Sequence, residues 1–131
     1  MTNKMLAPKN NGKTDGQLRE DLANNPVVQL FHRLASSAKM PSGDDRKELF
    51  ALMGRREAPV TRLLHDKGNG LTFNEQCVCL LVSLRFTPSE MGILTGVSPQ
   101  GISNMRSRLM WKLFRAGGGA RDFDARLQAL K

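Results

Sequence analysis

Tyrosine is absent from the chain of 131 residues, tryptophan occurs once and cysteine twice. Two cysteines cannot staple a small secreted scaffold. Cys77 and Cys79 also fall about 200° apart around a helix axis, so they neither bond each other nor share a metal readily, and they read as core or boundary thiols. His32 and His65 stand far apart and unaccompanied, so no metal site is expected. No run approaches the roughly 18 apolar residues of a membrane span, and Met1 to Gln17 lacks the apolar centre of a secretory signal. A cytoplasmic protein with no membrane partner is expected. No segment alternates with period two long enough to argue for a sheet. The signatures GxSxG, HExxH, GxGxxG and the Walker A loop are all missing, and the glycines at 117–119 follow a helix instead of joining a strand to one. Asp44, Asp45, Asp122 and Asp124 lie in first turns of helices, where the dipole already accounts for carboxylates. Neither an enzyme nor a cofactor is expected.

What is present fits a small all-α bundle. Hydrophobic residues make up 40% of the chain, including six phenylalanines. Twenty lysines and arginines against twelve acids give a net charge of +8, and the excess is shared by both halves of the chain. An anionic polymer is the expected partner, double-stranded DNA foremost.

The first fourteen residues are too polar to offset the entropy of ordering, and Asp15 to Asn24 is at most a weak helix. A disordered or weakly helical tail over 1–23 therefore precedes a helical domain over 24–131. Asn25 caps a helix with Pro26 at N1, and Val27, Leu30, Phe31 and Leu34 form its apolar stripe. Ser42 opens a second helix that turns Leu49, Leu52 and Met53 inward, and Pro59 to Asp66 offers Val60, Leu63 and Leu64. Thr72 and Glu75 make a capping box ahead of a helix to Arg85 that is apolar on most sides and belongs at the centre of a bundle. Phe86 closes the following corner.

From Thr87 to Arg106 the chain carries two helix starts a short turn apart. Thr87, Pro88 and Glu90 provide cap, N1 proline and capping box, and Ser98-Pro99 repeats the cap and proline after a Gly96-Val97 turn. Around the second helix Ile102, Met105, Leu109 and Leu113 form an apolar stripe. Gln100, Ser103, Asn104, Ser107 and Arg108 oppose it, with Arg106 and Lys112 on the flanks. This distribution suits a helix start in the major groove with later turns near phosphates. The expected DNA-binding residues are Thr87, Ser89, Ser98, Pro99, Gln100, Ser103, Asn104, Arg106, Ser107, Arg108 and Lys112. Gln100, Ser103, Asn104 and Ser107 face base edges, while Thr87, Ser89, Arg106, Arg108 and Lys112 face phosphates.

Leu71-Thr72 with Glu75, then Glu90-Met91-Gly92, Val97-Ser98, Ile102 and Lys112-Leu113 follow the order of the LuxR/GerE-type helix-turn-helix domain, which reads LT..E, EIA, IS..TV and KL. The run CLLVSLRFTPSEMGILTGVSPQGISNMRSRLMWKLF resembles the DNA-binding end of larger bacterial transcriptional regulators, and the resemblance extends roughly from Asn24 to Leu130. It implies a sigma-region-4-like fold over 72–114 and sequence-specific DNA binding. The chain departs from the pattern in having Gly92 and Gly101 where the family has alanine or threonine, Thr95 at a leucine position and Trp111 where lysine is common. Two helix glycines cost about 0.5–1 kcal/mol each relative to alanine, so a less stable motif is expected.

A last helix over 121–130 carries Phe123, Leu127 and Leu130 on one edge. The resemblance implies a homodimer contact there; packing of that edge on Val27, Phe31 and Leu34 is the competing expectation. Two functions stay open. The fold serves either a DNA-binding transcriptional regulator or a protein-interaction module that does not read DNA.

Overall fold

The computed structural model describes residues 22–56, 58–67 and 70–130. Most of the expected tail over 1–23 lies outside them, but Leu22 is already buried in the core, two residues ahead of the expected boundary. The described residues form seven helices and no strand: α1 Pro26–Ser36, α2 Gly43–Arg55, α3 Pro59–Lys67, α4 Phe73–Ser83, α5 Pro88–Thr95, α6 Pro99–Phe114 and α7 Ala120–Gln128. None of them is long and apolar enough to cross a membrane.

Local chemistry sets most of the helix starts. The Val27 amide donates to Asn25 Oδ1 at 2.9 Å, and Pro26 fills N1. Ser42 and Asp45 exchange bonds at the head of α2, as Thr72 and Glu75 do at the head of α4. Each box satisfies two amides that a helix start leaves unpaired. The buried face of α1 is Val28, Phe31 and Ala35, with Val27 and Leu34 half-buried, so the expected stripe is rotated by about one residue. The reason is that α1 packs against both α2 and α5.

Helix α4 is the centre of the bundle and packs against α2, α3, α5, α6 and α7. Cys77, Val78, Cys79, Leu80, Leu81 and Val82 are all buried. Both cysteines are free, and burial pushes their thiols above the usual range, which keeps them protonated and inert at neutral pH.

Arg46 of α2 is also buried. Its Nη1 donates to Asn74 Oδ1 at 2.9 Å and its Nη2 to the Leu94 carbonyl at 3.1 Å, while the guanidinium lies 5.5 Å over the Phe73 ring. One side chain thus ties α2 to the start of α4 and to a terminal carbonyl of α5. No local pattern in the sequence marks Arg46 for this role, because both partners come from elements distant in the chain.

Helices α5 and α6 are joined by three residues, Gly96 to Ser98. Gly96 takes φ 75° and its amide donates to the Gly92 carbonyl at 2.8 Å, a left-handed cap that explains the glycine. The turn is packed so closely that a Cβ on Gly92 would stand 2.9 Å from the Val97 carbonyl oxygen, and one on Gly101 2.7 Å from Val97 Cγ1. The two glycines therefore serve the approach of the helices. Gly92→Ala should lower stability by about 1 kcal/mol instead of raising it, because overpacking against backbone exceeds the gain in helix propensity. Urea denaturation checks the sign.

Helix α7 folds back onto α6 and α4. Phe123 is 0% and Leu127 2% exposed, Phe114 and Phe123 have ring centroids 6.1 Å apart, and Gln128 Nε2 donates to the Val82 carbonyl at 3.0 Å. The edge expected to be spare is consumed inside the domain, which removes the basis for a homodimer through it. It packs mainly on α6 and α4 and not on the α1 stripe of Val27, Phe31 and Leu34, since the short joint over 116–119 turns it back alongside α6.

Candidate nucleic-acid interface

Ser98 starts α6 by accepting the Gly101 amide at 3.0 Å on its Oγ, and Pro99 occupies the first turn. Ile102, Met105, Leu109, Met110 and Leu113 then turn inward. Gln100, Asn104, Arg108, Trp111 and Arg115 are left in the open at spacings of three and four, a single stripe along the helix. Ser103 and Ser107 border it half-buried. Gln100 Nε2 donates to Asn104 Oδ1 at 3.0 Å. That bond leaves the Gln100 carbonyl oxygen as an outward acceptor and the Asn104 amide nitrogen as an outward donor, the complement of an adenine N6 and N7 edge.

The scaffold helix α5 opens with Thr87 and Ser89 exposed. The Glu90 amide donates to Thr87 Oγ1 and the Thr87 amide to Glu90 Oε1. The second carboxylate oxygen of Glu90 lies 2.9 Å from His32 Nδ1, and the His32 ring stacks on Phe86 at 4.0 Å. His32 on α1 thereby holds the corner from which α5 departs. Burial pushes the Glu90 carboxyl up, but the Thr87 amide and His32 outweigh burial and leave it below the usual carboxylate value. A carboxyl with a depressed folded pKa stabilises the fold fully above its unfolded value, and the contribution fades as the pH falls through the folded one. Glu90→Gln should therefore cost about 1 kcal/mol at pH 7, and its deficit against the wild type should vanish in acid. Thermal melts of both proteins from pH 7 to pH 3 check it.

Two expected phosphate ligands are placed otherwise. Arg106 is 4% exposed and pairs through Nη1 with Asp124 Oδ2 of α7, so it is a core residue and leaves the set. Arg106 stands four residues after Ile102, only about 40° around the helix, and α7 covers that flank. Lys112 is partly exposed, but its Nζ lies 2.8 Å from Glu75 Oε2. Burial pushes the Glu75 carboxyl up; the bonds from Lys112 and the Thr72 amide overcome it and hold it below the usual value. Lys112 is thus committed to neutralising a buried carboxylate and is corrected from a phosphate ligand to a structural cation.

The remaining charges are sorted by sign. The sequence has no acid between Glu90 and Asp122, and Glu75 and Glu90 are bonded inward as described. Arg108 forms no hydrogen bond or ion pair among the described residues and borders an open groove with Thr72, Phe73 and Asn74 at the start of α4. The outward face of α6 is therefore positive, with polar amides at its start. Compared with protein-family models, curated proteins and solved structures, the chain matches none. The geometry of this face carries the functional reading. Among the described residues no group of His, Cys, Asp and Glu side chains could hold a metal ion.

Proposed function

We propose that the chain is a sequence-specific DNA-binding regulator that enters the major groove with the start of α6. The observation that carries this is the stripe itself, with the tied Gln100–Asn104 pair at its head and Arg108 and Arg115 behind it, on a face free of outward acids. Amides in the first turns can specify bases, and unpaired cations beyond them can meet phosphates. The LuxR-like order of residues supports the same reading, and Thr87 and Ser89 at the start of α5 supply further hydroxyls and helix-start amides for the backbone. The exposed Trp111 favours a second reading, a face for another protein, because large apolar side chains in the open mark interaction surfaces.

Salt separates the two in a direct way. Each phosphate neutralised contributes about one unit to the slope of log affinity against log salt. Arg108→Ala should weaken binding to every duplex alike and lower that slope by about one. Fluorescence anisotropy of a labelled duplex between low and physiological salt measures it; an unchanged slope takes Arg108 out of the interface, and no binding at low salt removes the DNA reading.

A further inference from the structure

Trp111 is the largest exposed ring of the domain, 56% accessible, and it stands on the line of the amides proposed to read bases. At 100° and 1.5 Å per residue, the seven residues from Asn104 to Trp111 bring it back to within about 20° of Asn104 and about 10 Å farther along α6. Arg108 and Arg115 fall within about 40° of the same line. A B-form major groove is about 12 Å wide, so a side chain this far behind a base-reading one meets the sugar–phosphate wall.

Arg115 adds a second observation. It is the C-cap of α6 at φ 52°, a left-handed position that glycine occupies at less cost, although three glycines follow at 117–119. In this conformation its guanidinium lies 5.6 Å over the Trp111 ring. Backbone strain therefore coincides with a cation held above an exposed aromatic plane, on a face that carries no outward acid.

We infer that Trp111 and Arg115 act as one unit on the DNA backbone, with the indole against the apolar face of a deoxyribose and the guanidinium on the adjoining phosphate. The inference rests on the DNA reading above. Charge decides the occupant: Arg108 and Arg115 flank the ring along the helix, the sequence has no acid between Glu90 and Asp122, which suits a polyanion, and the stripe from Gln100 runs into Trp111 without a break. The unit explains why an apolar ring lies where the related pattern has a lysine. A lysine gives phosphate attraction alone, whereas the stacked pair adds contact with the sugar.

Because the chain has one tryptophan and no tyrosine, its emission reports this ring alone. A fluorescein-labelled random-sequence duplex titrated into the purified full chain should shift the Trp111 emission to the blue in step with the rise in anisotropy. Trp111→Ala and Arg115→Gly should each weaken binding about tenfold on all sequences, and Trp111→Phe less. Arg115→Gly should at the same time keep or raise the melting temperature, which separates a contact from a structural role. Binding that saturates while the emission stays still, with both variants binding as wild type, overturns the inference and leaves the DNA reading standing. Absence of duplex binding by the wild type overturns both. An emission shift that follows protein concentration without DNA, with a dimer in sedimentation, assigns the ring to a second copy and overturns the inference.

Discussion

Replacing Arg106 with alanine is expected to destabilise the domain by about 3 kcal/mol, since removing one partner of a buried ion pair strands the other charge in the interior. Arg106 is almost fully enclosed, and the side chain of Asp124 is one quarter exposed. Burial pushes the Asp124 carboxyl above its usual range, and the arginine only partly offsets this. The buried Arg106 Nε and Asp124 Oδ1 have no hydrogen-bond partner among the described residues, so the pair is a costly one even when intact. Two consequences follow. Arg106→Leu combined with Asp124→Ala should recover most of the loss, because an apolar pair of similar volume avoids the desolvation penalty. Denaturant midpoints of the two single variants and the double variant test this as a cycle. The second consequence concerns DNA: a variant at Arg106 that is still folded should keep the wild-type salt slope, whereas a phosphate ligand would lower it by about one.

Replacing Asn104 with alanine is expected to cost about 1–3 kcal/mol on a preferred site and to relax the preference at one or two base pairs. Asn104 is exposed, and among the described residues its side chain bonds to Gln100 alone, so the fold should not notice the change. The variant removes the outward amide donor and also frees Gln100 to wander, which is why more than one base pair should respond. Affinity on an unrelated sequence should hardly move, because the phosphate contacts remain. Competition between preferred and unrelated duplexes, with the melting temperature as control, measures both effects.

How far the sequence could be read depended on the distance over which each interaction acts. Asn25-Pro26, Thr72 with Glu75, Thr87 with Glu90 and Ser98-Pro99 were legible because a cap is settled within three residues, and all four start helices as expected. The apolar line Ile102, Met105, Leu109 and Leu113 was legible because its period belongs to one helix. Arg106 was misread for the opposite reason. Its place beside Ile102 on the wheel suits a flank or an interior, and only the position of Asp124 eighteen residues later decides which. Lys112 is the same case, since its partner Glu75 lies thirty-seven residues earlier and was accounted for by its capping box alone. Gly92 and Gly101 read as weak points because propensity is local; the closeness of Val97 that requires them belongs to the turn.

The start of α6 as a reader of base edges is the central claim, and selection of bound duplexes from a random pool by the purified chain tests it most directly. Repeated selection at physiological salt should enrich a short motif that includes adenine, and the same selection with Asn104→Ala should lose preference at one or two positions of that motif. A pool that stays random through the selection while the protein remains folded, or a motif that Asn104→Ala leaves untouched, would contradict the account.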